Sequence, residues 1–205
     1  MQEQTWKLRD AEVIAEAFPY TFYKPSHKAI ALLQAGNLVK LIFEFSTSDA
    51  NTRSAERMWV KITDINNGKF SGCLDNMPVH IKDLTLGDKI EFSTCHIIDT
   101  DIKDPVPSII DKYTLHCIVT DNILSEGRQI GYLYRETSKD SEDSGWRFTA
   151  GDETEDYMRN SENAHYVSIG TVLNKDDSIL PLLERETGVN FERDKQGLFV
   201  EVKER

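Results

Sequence analysis

The segment LVKLIFEF at residues 38–45, followed by MWVKITDINNGKF at residues 58–70, decides the fold of the N-terminal half. The first segment is rich in β-branched and aromatic residues and lacks glycine and proline, which predicts a strand. Apolar and polar residues alternate over residues 58–65, as in a strand with one buried face. The pair Asn67-Gly68 follows and precedes a further strand at residues 69–74. Asn-Gly between two such segments predicts a β-hairpin, because a type I′ turn needs positive φ at both central positions.

Two helices precede these strands. The pattern RDAEVIAEAF predicts a helix over residues 6–18 with Asp10 as its cap, and HKAIALLQ predicts a second over residues 27–34 with Ser26 as its cap. The other elements predicted in this half are a polar loop at 46–56 and strands at 79–81 and 89–98. We therefore expect the N-terminal half to be a bent antiparallel sheet or small barrel with leading helices.

The segment DTDIKDPVPSIIDK at residues 99–112 is a candidate linker, because it combines two prolines with many charges. We place a boundary near Asp111 and predict two small domains, 1–110 and 111–205. The strands predicted in the second domain are 113–120, 129–135, 146–148, 165–167 and 198–202. The helices predicted there are 151–160 with Asp152 as its cap, 169–174, and 179–185. Short helices interleaved irregularly with strands predict an α+β fold rather than a doubly wound parallel sheet.

Charge limits the classes of partner. The 205 residues include 24 Lys and Arg against 35 Asp and Glu, a net charge of −11. Residues 1–110 carry 15 acids and 12 bases, whereas residues 111–205 carry 20 acids and 12 bases, a net charge of −8. We expect no nucleic-acid binding and no docking on an anionic membrane, since both depend on clustered Lys and Arg. No apolar segment approaches the roughly 20 residues of a membrane helix.

The compartment follows from the N-terminus and the cysteines. The start MQEQTWKLRD lacks the basic and apolar regions of a signal peptide. Three cysteines are a low, odd number, which favours free thiols in a reducing compartment. We expect a cytoplasmic protein.

Common catalytic and cofactor motifs are missing. The sequence contains no GxGxxG, GxxxxGK[ST], GxSxG, HExxH or CxxC pattern. The pairs Cys95-His96 and His116-Cys117 could supply at most two ligands to a shared metal, because neighbouring strand residues point to opposite faces. The acidic cluster at 152–156 could bind a cation, but carboxylates at a helix start are already explained by the helix dipole. We therefore assign no catalytic residue, cofactor or metal.

The tryptophans in the predicted strands allow two interpretations. Interior packing is the favoured role of Trp59 and Trp146. The alternative is an aromatic anchor for a partner, because Trp and Arg dominate interface hot spots. Trp146 is the stronger case, since acidic polar residues surround it in the sequence. The candidate partner-binding residues are Trp146, Arg147, Asp143, Asp152, Glu153, Asp156 and Tyr157.

The motifs of the second half carry a resemblance to a known family. They are GYLYRE at 131–136, DSGWRF at 143–148, GDE at 151–153 and YM at 157–158, with LPLL at 180–183 and FER at 191–193. With them, residues 113–205 resemble a bacterial domain family grouped with immunity proteins of polymorphic-toxin systems. The pattern of that family has Met where this chain has Leu133, a change that conserves volume. The resemblance implies a non-catalytic binding protein that protects a cell against a toxin.

The first half is similar to another, uncharacterised bacterial domain. The segments that carry this likeness are 38–44 (LVKLIFE), 56–60 (ERMWV), 72–78 and 86–88 (LGD). Neither family defines a catalytic residue, so none is carried over.

Our leading hypothesis is a non-catalytic cytoplasmic protein of the immunity type. Its acidic second domain would mask a basic surface of a toxin, because complementary charge speeds encounter and selects the partner. Two alternatives stay open: a small-molecule-binding protein or enzyme with a pocket between the two domains, and a regulatory scaffold with a different partner. A toxin gene beside this gene would favour the first hypothesis.

Overall fold

The computed structural model describes residues 4–46 and 54–203 of the chain. The chain divides into two units, Met1–Ser108 and Ile109–Arg205, which we call the N-terminal and C-terminal units. Each unit is built on one six-stranded sheet with a few short helices. The predicted α+β class is confirmed.

The N-terminal sheet is antiparallel and nearly closed. Its strands are β1 (Trp6–Leu8), β2 (Leu38–Phe45), β3 (Ala55–Asn66), β4 (Lys69–Leu74), β5 (Lys89–Ser93) and β6 (Ile97–Thr100). Strands β1 to β5 pair in sequence order, and β6 returns to pair with β2. Only one 3-10 turn, Thr94–His96, separates β5 from β6. The sheet therefore curls back on β2, which confirms the predicted bent sheet.

The core of this unit lies inside the curled sheet. Alternate residues of β3, Met58, Val60 and Ile62, are at most 3% exposed, as the sequence alternation predicts. The hairpin between β3 and β4 is also confirmed, since Asn67 and Gly68 have φ values of 50° and 76°. Both predicted caps are present: Asp10 accepts from Glu12 N at the start of α1 (Ala11–Ala17), and Ser26 accepts from Ala29 N at the start of α2 (His27–Ala31).

Three predictions for this half are corrected. Residues 6–8 are not helical, because they form β1 and pair with the end of β2. Residues 79–81 are not a strand, since their three backbone N–H groups donate to the carboxylate of Glu56. The predicted strand 89–98 is interrupted at Thr94–His96. Of the predicted loop at 46–56, residues 47–53 lie outside the described residues, and β3 begins at Ala55.

The C-terminal sheet is mixed. Its strands are β7 (His116–Thr120), β8 (Tyr132–Arg135), β9 (Asp143–Thr149), β10 (Ala164–Ser168), β11 (Val189–Arg193) and β12 (Phe199–Val202). Their order is β10-β7-β9-β8-β11-β12, and β7 and β9 run parallel while the other pairs are antiparallel. The α-helices are α3 (Asp121–Leu124), α4 (Glu155–Arg159) and α5 (Ile169–Leu173).

One face of this sheet forms the core of the C-terminal unit. Val119, Phe148, Leu133 and Phe191 are neighbours across four adjacent strands and are at most 3% exposed. The opposite face carries Ile118, Arg147 and Tyr134, which are also neighbours across the strands. Directly opposed residues share a face of a sheet, so these side chains form a second row on the other side.

The element boundaries in this half differ from the prediction at several points. Strand β9 begins at Asp143 and ends at Thr149, so it is longer than the predicted strand 146–148. Strand β11 was not predicted. Thr154, not Asp152, caps α4. The predicted helix 179–185 is a 3-10 helix at Asp177–Leu182 with Pro181 inside it.

Candidate protein-binding surface

Arg147 is the centre of a polar network on β9. Its side chain is 10% exposed and donates through Nε to Glu136 Oε1 at 2.7 Å. Two further N–H groups contact the carboxylate of Asp143 at 2.9 and 2.7 Å, and the first of these also reaches the carbonyl of Trp146. The hydrogen bonds from Arg147 lower the pKa of Asp143 to about 2. All of these partners belong to the chain itself, so the guanidinium is already satisfied.

Trp146 points into the core. Its side chain is 0% exposed, its ring stacks 6.0 Å from Phe148, and its indole N–H donates to the carbonyl of Leu183 at 3.3 Å. Trp146 is therefore an interior residue, as the favoured interpretation of the sequence predicts. The alternative interpretation, a direct contact with a partner, is corrected for Trp146 and for the buried Arg147. Neither side chain is presented to solvent.

Asp152 and Glu153 differ in what they do. Asp152 is exposed and its two carboxylate oxygens each lie 2.7 Å from Arg128 Nη2. Glu153 accepts from Ala150 N at 2.7 Å, from Gly151 N at 2.8 Å and from Thr120 Oγ1 at 2.8 Å. Burial raises the pKa of Glu153, but these hydrogen bonds outweigh it and the pKa lies below its usual value. Glu153 thus holds the turn after β9, whereas Asp152 offers its charge to solvent.

Asp156 and Tyr157 lie on α4. Asp156 is 94% exposed and makes a 3.2 Å ion pair with Arg159. Tyr157 is half-buried, and its hydroxyl accepts from Asn122 N at 3.1 Å. Glu155 adds another exposed carboxylate on this helix.

The seven candidate residues do not form one cluster. Asp143 stands at the start of β9, whereas Asp152 to Tyr157 follow its end. Seven strand residues span about 20 Å, which separates the two groups. The exposed acids near α4 stay a predicted contact surface, and the residues within β9 organise the sheet.

A third region, which sequence reasoning missed, lies at the edge of the sheet that β10 forms. Tyr166 on β10 is 49% exposed and stacks on His116 of β7, with ring centroids 4.8 Å apart. Ile118, 36% exposed, is its direct neighbour on β7. We call these three residues, together with Asp140 and Glu142 on the turn beside them, the Tyr166 patch. The alternation of each strand was visible in the sequence, but the pairing of β7 with β10 was not.

The cysteines and histidines do not assemble a metal site. Within the described ranges, no group of three or more His, Cys, Asp or Glu side chains could hold a metal ion. The cysteines are free thiols, and burial raises the pKa of Cys117 to about 12. A thiol with such a pKa is a small apolar group rather than a nucleophile.

The described helices also include none that is long and apolar enough to cross a membrane. The fold and these surfaces define a two-unit α+β protein whose C-terminal sheet carries acidic and aromatic groups on its surface.

The chain belongs to the family described as "Uncharacterized protein conserved in bacteria (DUF2314)", whose model matches residues 3–130. Residues 117–203 match the "Immunity protein Imm33 domain". The two-part resemblance predicted from the motifs is thereby confirmed. Comparison with curated proteins and with solved structures finds no match.

Proposed function

We propose that this protein is an immunity protein that neutralises a basic toxin by binding it with the C-terminal unit. The match of residues 117–203 to an immunity protein domain carries the proposal. The net charge of −8 over residues 111–205 supports a basic partner. Binding of this kind needs no bond-making chemistry, since covering the toxin's functional surface is sufficient.

The exposed carboxylates provide the electrostatic part of this binding. Asp152, Glu155 and Asp156 keep their charges in solvent, with Arg128 and Arg159 as their only cationic partners among the described residues. The negative electrostatic potential of these carboxylates raises the association rate of a basic partner, and added salt weakens this effect. Affinity would come from the apolar and aromatic groups buried in the complex. We place the action in the cytoplasm, where the free thiols are stable.

Growth rescue tests the proposal. The protein encoded beside this gene is expressed in a bacterial host alone and together with this chain. We expect growth to stop with the neighbour alone and to recover when both are present, and the two proteins to co-elute at an ionic strength of about 0.15 M.

A control separates binding from general effects of expression. A chain in which Asp152 and Asp156 are both changed to Lys should express and fold normally but rescue growth less well. No rescue and no co-elution with any protein encoded beside the gene would contradict the proposal.

A further inference from the structure

Tyr166 presents an aromatic ring on an edge strand of the C-terminal sheet. Its ring rests on the imidazole of His116, with an angle of 19° between the planes, and Ile118 lies beside it. The ring is therefore packed against His116, and the residue as a whole is 49% exposed. A supported, exposed ring loses little side-chain entropy when a partner covers it.

Two acidic residues lie on a turn that is hydrogen-bonded to His116, the residue on which this ring stacks. The turn that carries Asp140 and Glu142 is fixed against β7, because His116 N donates to the carbonyl of Glu142 at 2.7 Å and Glu142 N donates to Asp140 Oδ1 at 2.9 Å. Both acidic residues are exposed. Asp143, the next residue and the first of β9, is already bound to Arg147.

The charges of this turn reach the hydroxyl of Tyr166. Partial desolvation comes first, and the carboxylates of Asp140, Asp143 and Glu142 follow, in raising the pKa of that hydroxyl. The hydrogen bond between the turn and His116 and the raised pKa of Tyr166 both indicate that the ring and the carboxylates share one small region of surface.

We propose that the Tyr166 patch binds an arginine side chain of the partner protein, with the guanidinium stacked on the Tyr166 ring and its N–H groups donating to Asp140 and Glu142. A guanidinium is planar, stacks on aromatic faces and bonds carboxylates in pairs, whereas an ammonium is a compact, strongly hydrated charge. This inference rests on the proposed function, because it names the group on the basic toxin that the sheet recognises.

A peptide titration tests the patch without the toxin. The probes are hexa-arginine, hexa-lysine and hexa-citrulline peptides with blocked ends, added to the full chain labelled with ¹³C in its tyrosine rings. We expect hexa-arginine to shift the Tyr166 ring signals saturably and hexa-citrulline to leave them in place. Hexa-lysine should bind about threefold more weakly than hexa-arginine.

Two variants locate the binding. Calorimetry measures the binding of hexa-arginine to these variants, because Tyr166→Leu removes the ring that reports binding by NMR. Tyr166→Leu should weaken the binding of hexa-arginine about threefold. The double variant Asp140→Asn with Glu142→Gln should weaken it about tenfold, and Asn keeps the oxygen that caps the turn. The matched control is Glu184→Gln with Glu186→Gln, two exposed acids next to β11, roughly 20 Å across the sheet, which should change affinity less than twofold.

Three results would overturn the inference: unshifted Tyr166 signals, equal weakening by the control variant, or hexa-lysine binding as tightly as hexa-arginine. The toxin complex separates this inference from the proposed function. If the toxin binds but is insensitive to both patch variants, the inference fails and the proposed function stands. If hexa-arginine binds the patch but no toxin is neutralised, the proposed function fails, and the patch stands as an arginine-binding site for another protein.

Discussion

At the scale of single residues, the buried pair of Arg147 and Asp143 links β9 to its surroundings. Both side chains are 10% exposed, and the guanidinium also reaches Glu136 and the backbone. A buried charge that loses its partner is costly, because the remaining charge stays desolvated. The residues of the motif DSGWRF therefore stabilise the sheet. Trp146 packs in the core on one face, and Arg147 is paired with Asp143 and Glu136 on the other.

The first prediction concerns pH. Asp143 has a pKa of about 2 in the folded protein against an ordinary value of 3.8, because hydrogen bonds from Arg147 stabilise its charged form. A lowered folded pKa stabilises the protein at pH values above the unfolded pKa, so this contribution is complete above about pH 4 and is lost as pH falls toward 2. Asp143→Asn should lower the free energy of unfolding by about 2 kcal/mol at pH 7.

Two measurements check this pH dependence: urea denaturation and, separately, hydrogen exchange of the β9 amides. The difference between the variant and the unchanged protein should shrink as pH approaches 2. The control Asp156→Asn, at a carboxylate that is 94% exposed, should stay within about 0.5 kcal/mol of the unchanged protein. A constant difference from pH 7 to pH 2 would show that charge pairing is not the cause.

At the scale of elements, glycines allow strands β8 and β9 to approach closely. A Cβ built on Gly145, where φ is +80°, would lie 2.1 Å from the carbonyl oxygen of Glu136. A Cβ on Gly131 would lie 2.0 Å from the carbonyl oxygen of Ala150. The two glycines of the motifs GYLYRE and DSGWRF are therefore required where these two strands pair.

The second prediction is that Gly145→Ala destabilises the C-terminal unit more than Gly197→Ala does. Both glycines have positive φ, but a Cβ on Gly197 meets nothing within 4 Å. Gly197→Ala should cost only the backbone strain of about 1 kcal/mol. Gly145→Ala adds a steric overlap with backbone and should cost at least about 3 kcal/mol. Thermal and urea unfolding of the two variants give the comparison, and equal costs would contradict this account of strand pairing.

The third prediction concerns the segment that precedes β5. The carboxylate of Glu56 accepts from the N–H groups of Val79, His80 and Ile81 at 2.8, 2.7 and 3.2 Å. Burial raises the pKa of Glu56, but these hydrogen bonds outweigh it and the pKa is lowered. Glu56→Gln should weaken all three bonds, because a neutral amide offers one acceptor oxygen in place of two charged ones.

Hydrogen exchange measures this loosening directly. The amides of residues 79–81 should exchange at least about tenfold faster in Glu56→Gln, while those of β4 stay unchanged. Glu91→Gln, at a carboxylate that is 74% exposed on β5, is the control and should leave the exchange of residues 79–81 as it is. Unchanged exchange in Glu56→Gln would mean that other contacts hold the segment.

Local signals made part of the fold predictable. Strand β2 and the Asn67-Gly68 hairpin depend on residues adjacent in sequence, and both are confirmed. Strand β1 and residues 79–81 depend on partners far along the chain, the end of β2 and Glu56, and were predicted wrongly. The pairing of β7 with β10 is equally distant, which is why the Tyr166 patch could not be derived from composition or motifs.

The candidate site shows the same limit. Sequence alone located the acids and the motif around Trp146, but the face on which a strand side chain lies depends on register. Alternation places Trp146 and Arg147 on opposite faces, and only the structure shows which face is covered. The charges near α4 needed no such information, since acids without buried partners stay in solvent.

At the scale of the whole molecule, the two family matches overlap at residues 117–130, which contain most of β7 and all of α3. The division into units falls earlier, after Ser108. Strand β7 lies between β10 and β9 within the C-terminal sheet, so the DUF2314 match extends into the sheet that the Imm33 match describes. A chain that began after Thr120 would lack β7 and would leave the facing edges of β10 and β9 unpaired.

Charge is divided unequally between the units, and this asymmetry underlies the proposed function. Residues 1–110 carry a net charge of −3 and residues 111–205 a net charge of −8. A basic partner should therefore be attracted mainly to the C-terminal unit, with a rate that depends on salt. Charges removed from the two units should have different effects on association.

The association rate of the toxin encoded beside this gene, measured by stopped-flow over a range of salt concentrations, tests the central claim most directly. The variant Asp152→Asn with Asp156→Asn is compared with Asp64→Asn with Asp101→Asn, a matched pair of exposed acids in the N-terminal unit. The account predicts that the C-terminal variant slows association about fivefold at low salt and that the difference disappears at high salt, while the N-terminal variant changes the rate less than twofold. Equal rates for both variants, or association that is independent of salt, would contradict it.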